Sequence, residues 1–310
     1  SVRYAVGAMQ EVSKRYTEIS IETAQRIEKK LQPRLLNNHG ITTEYKLQGS
    51  VPLNIHIKGV SDVDLLVINR LHYRSEGCLE LFRAKDTKAL KELRTACISE
   101  LRQAYPAVAV DTTGAKSITL TGGSLPRDVD VVPSHWVETK EYEKEKHLYL
   151  RGINILDNKT PTTLMNLPFK HIYYIDIRCK YLTDGGLKKA IRLCKTIKAD
   201  LVEEGKEIHL SSFDLASIMY HSNLDNLKKG KTYALAIVLE TQRFFDYLYH
   251  NPNYRNGLYT PDWTRKIFDN PKKETSLTIM SVALDKLVTA LREDLGYHYP
   301  NTLNLHPLTI

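Results

Sequence analysis

The spacing of apolar and polar residues divides the chain into a β-rich part and a helical part. Near the N-terminus, apolar residues recur every three or four positions among charged ones, which predicts a helix over about residues 3–36. Short apolar runs bounded by turn-forming residues follow, and each predicts a strand: residues 44–49, 62–68, 107–111, 117–121 and 128–133. Residues 87–105 have the pattern of an amphipathic helix, with Asp86 as its N-cap, and residues 152–163 predict a hairpin.

From about residue 175 onward, the apolar period becomes that of helices. Four segments carry an apolar stripe at helical spacing: residues 184–205, 211–227, 232–250 and 274–294. We therefore expect an α+β protein with two domains, residues 1–175 and 176–310. The first would be an α/β core that includes the long N-terminal helix, and the second a helical lobe.

Composition indicates a globular protein with an anionic partner. The chain has 310 residues, 42% of them hydrophobic, with a formal net charge of +8 and a pI of about 9.1. A basic balance favours nucleic acid, polyphosphate or anionic lipid as a partner. No apolar run approaches the ~20 residues that span a bilayer, so we expect no membrane association. The four cysteines are widely spaced without a CxxC pair, which is typical of reduced thiols in the cytoplasm.

Two predicted strands each carry a pair of aspartates at alternate positions. Because side chains alternate faces along a strand, Asp62 and Asp64 share one face, opposite the apolar residues that enter the core. Asp128 and Asp130 repeat this arrangement on a later strand. If the strands pair, three or four carboxylates meet, and their mutual repulsion calls for a cation. Mg²⁺ or Mn²⁺ suits such oxygen ligands, and a pair of these ions can promote substitution at a phosphate.

A Gly-Ser pair, with eleven residues between it and Asp62, indicates phosphate binding. Gly49 follows a predicted strand and permits a tight turn. The backbone N–H groups of Gly49 and Ser50, with the Ser50 hydroxyl, can then hold phosphate oxygens in the way that nests of N–H groups do. Each motif is common by itself, but the two together predict metal-assisted chemistry on a phosphate-bearing substrate.

The sequence order of these motifs resembles the polymerase-β-like nucleotidyltransferase superfamily. Its pattern is GS, a gap of about ten residues, two alternating aspartates on an apolar strand, and a third on another strand, here VDVVP. Three further stretches resemble the cGAS/DncV-like nucleotidyltransferases (CD-NTases): TLMNLPFKH, AIRLCKTIK and LSSFDLASIMYH. The resemblance extends over about residues 40–225. It implies a mixed sheet flanked by helices, a long N-terminal spine helix, a helical C-terminal lobe and an active-site cleft between the lobes.

The resemblance assigns the metal to three carboxylates. Asp62, Asp64 and Asp130 would be catalytic and would bind two Mg²⁺ or Mn²⁺ ions. Asp130 would also help to deprotonate the acceptor hydroxyl. Asp130 stands at the family's third acidic position, while Asp128 lies on the same face as a neighbour or ion-pair partner.

The resemblance also assigns residues to the nucleotide: Gly49, Ser50, Lys195, Ser212, Phe213, Gln48 and Asn166. Ser50, Lys195 and Ser212 would contact the phosphates, and Phe213 would stack on the donor base. The amides of Gln48 and Asn166, which offer both donors and acceptors, would contact base edges.

The function that the resemblance implies is template-independent nucleotidyl transfer. One NTP gives its nucleotidyl group to the 2′- or 3′-hydroxyl of a second nucleotide, pyrophosphate leaves, and further transfer gives a cyclic di- or trinucleotide or a linear oligonucleotide. The substrates would be NTPs, with ATP among them. The product would be a second messenger that activates a separate effector protein in bacterial anti-phage (CBASS) signalling.

Three further expectations concern partners and location. The protein would be a cytoplasmic monomer. Because the sequence contains no Cys/His zinc ribbon, activation by double-stranded DNA is not expected.

The residues leave other functions open. A tRNA or RNA 3′-end nucleotidyltransferase of the CCA-adding kind has similar GS, DxD and DVVP elements, although 310 residues leave little room for tRNA-holding domains. A small-molecule nucleotidyltransferase and a nucleotide-binding protein without turnover are further alternatives. The chain also departs from the family pattern at Leu53–Asn54, where many relatives carry a small residue followed by Thr.

Overall fold

The chain forms a mixed sheet with flanking helices, followed by a group of packed helices. A computed structural model describes residues 1–59, 62–76, 83–160 and 162–296. The strands are β1 (Thr43–Gln48), β2 (Val63–Ser75), β3 (Ala109–Asp111), β4 (Ile118–Thr121), β5 (Val129–Glu138), β6 (Gly152–Asp157) and β7 (Thr162–Asn166). The α-helices are α1 (Val2–Met9), α2 (Lys14–His39), α3 (Arg83–Ala104), α4 (Lys140–Glu145), α5 (Pro168–Ile177), α6 (Gly186–Glu203), α7 (Ser212–Tyr220), α8 (Leu224–Lys229), α9 (Leu235–His250), α10 (Pro252–Asn256) and α11 (Pro271–Gly296).

Contacts within the chain group it into two units. The sheet unit comprises the described residues of Val12–Asn54 and Ser61–Tyr173. The helical unit comprises those of Ser1–Glu11, Ile55–Val60 and Tyr174–Ile310. The division expected from the sequence, at residue 175, stays a prediction; by contacts, residues 1–11 and 55–59 group with the C-terminal segment.

Strands β2 and β5 form the centre of the sheet and run parallel to each other. The strand order is β1-β2-β5-β4-β3, and β6 pairs with the second half of β5 and with β7. The other strand pairs are antiparallel. Leu65 to Ile68 of β2 are each at most 2% exposed, so this strand is buried on both faces, as expected for a central parallel strand.

The two faces of β2 have different environments. Val63, Leu65 and Val67 belong to the main apolar core, together with Leu31 of α2 and Leu93 of α3. The expectation that the residues alternating with the aspartates enter the core is therefore confirmed. Residues of the opposite face, beginning with Asp62 and Asp64, continue toward a second apolar cluster. The packing against α2 and α3 thus fixes which face of the sheet carries the carboxylates.

The prediction of one N-terminal helix over residues 3–36 is wrong in detail. The chain forms α1 and α2, separated at Gln10, whose backbone is extended (φ −70°, ψ 150°). The Ser13 side chain accepts the backbone N–H of Tyr16 and caps the start of α2. A Ser that competes for helix N–H groups in this way starts a new helix, and α2 then runs to the left-handed Gly40.

Two further helix boundaries differ from prediction. Helix α3 begins at Arg83, so Asp86 lies in its first turn and is not its N-cap. The predicted helix 211–227 is divided into α7 and α8, because Asn223 caps the second helix by accepting the N–H of Asn226. The hairpin predicted over residues 152–163 corresponds to β6 and β7, which pair antiparallel.

Helix α6 is the central helix of the helical unit. Its apolar stripe is fully or almost fully buried: Leu187, Ala190, Ile191, Leu193, Cys194 and Ile197. Arg192 on the same helix is only 2% exposed, and its Nε donates to the backbone O of Met9 at 2.8 Å. This bond joins α6 to the end of α1. Helix α9 packs against both α6 and α11.

The structure describes three of the four cysteines and the length and polarity of the helices. Cys97, Cys179 and Cys194 are buried free thiols, whereas Cys78 lies outside the described residues. In the ranges that the structure describes, every helix is too short or too polar to cross a membrane.

Candidate active site

The catalytic carboxylates predicted from the sequence lie on adjacent strands. Asp64 of β2 and Asp130 of β5 are direct partners in the parallel register, and neighbouring strands are ~4.8 Å apart. The backbone N–H of Val63 donates to the O of Asp128 at 3.1 Å, which fixes this end of the pair. Asp62, two residues before Asp64, shares the same face. The condition for a shared carboxylate patch, that the two strands pair, is therefore met.

The charges in this patch repel one another. Partial desolvation raises the pKa of Asp62, and the charges of Asp130 and then Asp128 raise it further. Asp128 is therefore part of the same acidic patch, although Asp130 is the residue in register with Asp64. A cation that binds between the carboxylates removes this repulsion.

A hydrogen bond that the sequence reasoning missed orients Asp130. Thr119 of β4 is opposite Asp130 in the antiparallel register, and its hydroxyl donates to Asp130 Oδ1 at 2.5 Å. The alternation of SITLT places Thr119 on the polar face of its strand, which is the signal that could have identified it.

The Gly-Ser turn is in direct contact with a metal-binding candidate. Gly49 has φ +72°, a conformation that favours glycine. A Cβ at this position would lie 2.3 Å from Asp64 Oδ2, far inside van der Waals contact. The absent side chain therefore leaves the space in which the Asp64 carboxylate sits. The conformation of the turn and the position of the Asp64 carboxylate therefore depend on each other.

The described residues after the Gly-Ser turn, 51–59, divide between the two units. Asn54 has φ +54°, which Asn tolerates better than most residues, and its N–H donates to the O of Val51 at 3.0 Å. Residues 55–59 then belong to the helical unit. The Leu53–Asn54 departure from the family pattern thus forms the end of the turn, with Leu53 buried and Asn54 in the left-handed conformation.

Three nucleotide-binding candidates lie in the helical unit. Lys195 is 3% exposed, and its Nζ donates to the O of Ile55 at 3.0 Å. Ser212 is exposed in the first turn of α7, whose N-cap is Ser211. Phe213 is half-buried, and the guanidinium carbon of Arg265 lies 5.3 Å from its ring centroid. Their contacts with nucleotide stay predictions.

The two amide candidates lie at different places in the sheet unit. Gln48 is the register partner of Asp64 on β1, so the two side chains share a face. Asn166 ends β7 and pairs with Ile153, which pairs in turn with Trp136. Trp136 is six residues beyond Asp130, up to ~20 Å along β5. The structure brings Gln48 to the carboxylates and leaves Asn166 apart from them.

These features suit a divalent cation and a phosphate ester. The candidate metal ligands are carboxylate oxygens, which hard cations prefer. The neighbouring negative charges that help to raise the pKa of Asp62 are charges that a bound cation would neutralise. A mixed sheet with paired aspartates on parallel strands beside a Gly-Ser turn defines the polymerase-β-like class of nucleotidyltransferase.

Comparison with known proteins identifies the family within this class of nucleotidyltransferase. No family model matches the chain. The cyclic dinucleotide synthase CdnE of Yersinia aleksiciae is 44% identical over 301 residues, covering 96% of this chain and 78% of that protein. The structure of the STING-associated CdnE c-di-GMP synthase of Capnocytophaga granulosa gives a TM-score of 0.77 at 32% identity, covering 95% of this chain and 87% of that one.

A third comparison supports the fold alone. The Rhodothermus marinus CdnE c-UMP-AMP synthase, solved with Apcpp and Upnpp, has a TM-score of 0.65 at 17% identity. It covers 91% of this chain and 94% of its own.

The chain belongs to the CdnE cyclic dinucleotide synthases, a branch of the CD-NTases. It is therefore a nucleotidyltransferase of the kind that makes cyclic oligonucleotide second messengers, and its family implies the use of a divalent metal ion. Membership of this family excludes two alternatives, an RNA 3′-end nucleotidyltransferase and a small-molecule nucleotidyltransferase.

Proposed function

We propose that the chain joins two molecules of GTP into a cyclic dinucleotide at the patch formed by Asp62, Asp64 and Asp130. The observation that carries the proposal is the register of Asp64 with Asp130, beside a Gly49 turn whose missing side chain accommodates Asp64. GTP is proposed because the structurally similar Capnocytophaga granulosa protein is named a c-di-GMP synthase.

The carboxylates have separate roles in the proposed reaction. Asp62, Asp64 and Asp130 would hold two Mg²⁺ ions, which when bound would neutralise phosphate charge and activate the attacking hydroxyl. Asp130, oriented by Thr119, accepts the proton from the attacking ribose hydroxyl. The hydroxyl oxygen forms a new P–O bond at the α-phosphate as the bond to pyrophosphate breaks. A second transfer of the same kind closes the ring.

The turn holds the phosphate tail in this scheme. The N–H groups of Gly49 and Ser50 and the Ser50 hydroxyl bind terminal phosphate oxygens, which keeps the α-phosphate at the carboxylates. Gln48, on the same face as Asp64, is a proposed base-edge contact. The remaining proposed contacts to the nucleotide are made by Lys195, Ser212, Phe213 and Asn166.

The product would act on a separate effector protein in anti-phage signalling. We place the enzyme in the cytoplasm, because three of its cysteines are buried as free thiols. We further propose that the protein is a monomer and that double-stranded DNA does not activate it.

One experiment separates the proposal from its alternatives. The protein is incubated with each α-labelled NTP, singly and together, with Mg²⁺ or Mn²⁺, and then treated with phosphatase. A phosphatase-resistant product from GTP alone supports the proposal. A resistant product that requires another NTP contradicts the choice of GTP, and label appearing only on added tRNA contradicts cyclisation.

A further inference from the structure

We infer that His72, Asp86 and His135 form a second metal site that binds a divalent transition-metal ion, Zn²⁺ in the first instance. The site lies within the sheet unit and joins β2, α3 and β5. His135 is five positions beyond Asp130 on β5, which places it ~16 Å along the strand from the catalytic carboxylates. It is therefore distinct from the nucleotidyl-transfer site.

A bulge in β2 brings the first ligand into place. The parallel register advances from Asn69 opposite His135 to Tyr73 opposite Trp136, so three extra residues of β2 lie between them. Such a bulge redirects side chains at functional positions. Its third extra residue, His72, turns its ring edge-on to His135, with 4.7 Å between the ring centroids.

The three ligand atoms lie in one small cluster, and two of their separations bracket the ligand spacing around a tetrahedral ion. Asp86 Oδ1 lies 3.0 Å from His72 Nε2 and 3.8 Å from His135 Nε2, and the three ligand atoms all lie within 4.8 Å of one another. Around an ion with bonds of ~2.0–2.1 Å, tetrahedral ligand atoms are roughly 3.3–3.4 Å apart. The two measured distances to Asp86 lie on either side of this value.

The tautomer of His135 suits metal binding. Its Nδ1 lies 3.1 Å from the backbone O of Trp136, an atom that can only accept, so Nδ1 carries the hydrogen. In the neutral ring, Nε2 then carries a lone pair, and it lies 3.5 Å from the Asn154 amide nitrogen and 3.8 Å from Asp86 Oδ1. A ligating histidine whose second nitrogen donates to a backbone carbonyl is the usual arrangement in metal sites.

Burial gives the site one open side. The side chains of Asp86 and His135 are each 1% exposed, whereas His72 is 30% exposed. An ion can therefore enter past His72 and keep water as its fourth ligand. Two imidazoles and one carboxylate favour Zn²⁺ over Mg²⁺, which prefers oxygen ligands alone. Metal binding would replace the contact between His72 Nε2 and Asp86 Oδ1.

The test measures metal binding without measuring product. The full chain carrying Asp62→Asn and Asp64→Asn is stripped of metal and titrated with Co²⁺, followed by competition with Zn²⁺. We expect one tightly bound Co²⁺ per chain, with the visible absorption of a tetrahedral site, and its displacement by Zn²⁺. The two Asn substitutions weaken cation binding at the catalytic patch, so failure of the proposed function does not affect this readout.

A matched pair of variants decides the assignment. His39 is a second histidine beside a buried carboxylate, 31% exposed and 2.9 Å from Glu100, which is 3% exposed. His72→Ala should weaken Co²⁺ binding at least ~100-fold, because loss of an outer-shell partner alone costs 10–100-fold. His39→Ala should bind Co²⁺ as the parent does.

Three results would overturn the inference: no Co²⁺ bound by the parent, equal binding in His72→Ala, or an equal loss in His39→Ala. If His72→Ala fails to fold, Asp86→Asn, which keeps the side-chain shape, replaces it with the same expected loss. Unchanged Co²⁺ affinity in Asp86→Asn would show that the three side chains form only a hydrogen-bonded cluster.

Discussion

At the scale of single residues, the proposed chemistry depends on how closely the turn approaches the first strand aspartates. The Asp64 carboxylate lies where a side chain at position 49 would lie. A residue larger than glycine at this position would therefore displace the carboxylate. The sequence predicted the role of each but not their contact, because residues fifteen positions apart meet only through the pairing of β1 with β2.

Gly49→Ala should lower the rate of product formation by at least ~100-fold, since misplacement of a reacting group by about 1 Å can cost that much. The new Cβ would displace the Asp64 carboxylate. The control is Gly40→Ala, which has a similar φ of +67° and no atom within 4 Å of the added Cβ. Both variants carry a backbone strain of about 1–2 kcal/mol, and only the first should lose activity. Equal activity in the two variants would contradict the assignment.

Thr119 is a positioning residue for Asp130. Thr119→Val keeps the shape of the side chain but removes the hydroxyl that donates to Asp130 Oδ1. We expect kcat to fall about 10-fold, corresponding to a hydrogen bond of about 1.4 kcal/mol, with KM for GTP little changed. Thr119→Ser should restore most of the rate, and failure of this rescue would show that Thr119 acts only through packing.

Asp62 should oppose folding when no metal is bound. Partial desolvation and the charges of Asp130 and Asp128 raise its pKa in the folded protein. Because the folded-state pKa exceeds that of the unfolded chain, the ionised group destabilises the fold fully above the folded pKa. This penalty decreases as pH falls through the folded pKa and is gone below the unfolded pKa. At pH 7, Asp62→Asn should therefore raise the Tm of the metal-free protein while abolishing product formation.

The control for Asp62 is an aspartate whose pKa moves in the opposite direction. A hydrogen bond from the Lys159 backbone N–H lowers the pKa of Asp157, so Asp157→Asn should not raise the Tm. A fall in Tm for Asp62→Asn at pH 7, measured by thermal unfolding in EDTA, would contradict this account.

At the scale of elements, the apolar pattern predicts the central strands and the core helices well. Leu65 to Ile68 and the stripe of α6 are buried as expected, because long apolar patterns record burial directly. The boundaries were missed where one polar residue decides them, as Ser13 and Asn223 do by capping new helices. The β2 bulge left no recognisable pattern, since it arises from the pairing with β5.

Arg94 of α3 holds the loop between β3 and β4. Its guanidinium donates to four backbone carbonyls between Thr112 and Ser117, at distances of 3.0 to 3.4 Å. Arg94→Lys loses the fork that reaches them, and should lower the free energy of unfolding by about 3 kcal/mol. Arg102→Lys, on the exposed face of the same helix, should change it by less than ~0.5 kcal/mol. Urea unfolding of the two variants checks the difference, and similar values would contradict the role of Arg94.

At the scale of the whole molecule, the gap between the Gly-Ser turn and the first aspartate includes residues that group with the helical unit. Its described residues, 51–59, form the end of the turn and a segment, residues 55–59, that belongs to the helical unit. The sequence motif shows only the length of this gap. The family and the meeting of the carboxylates on paired strands could be predicted from sequence, whereas Thr119 and the cluster at His72 required the fold.

The most direct test of the central claim counts products and pyrophosphate in three proteins. With GTP and Mg²⁺, the parent should release two pyrophosphates for each cyclic dinucleotide that mass spectrometry detects. Asp130→Asn should reduce both by at least ~1,000-fold, while Asp128→Asn, in the same patch but out of register with Asp64, should keep at least a tenth of the parent rate. Full activity in Asp130→Asn, or loss in Asp128→Asn alone, would contradict the site described by the paired strands.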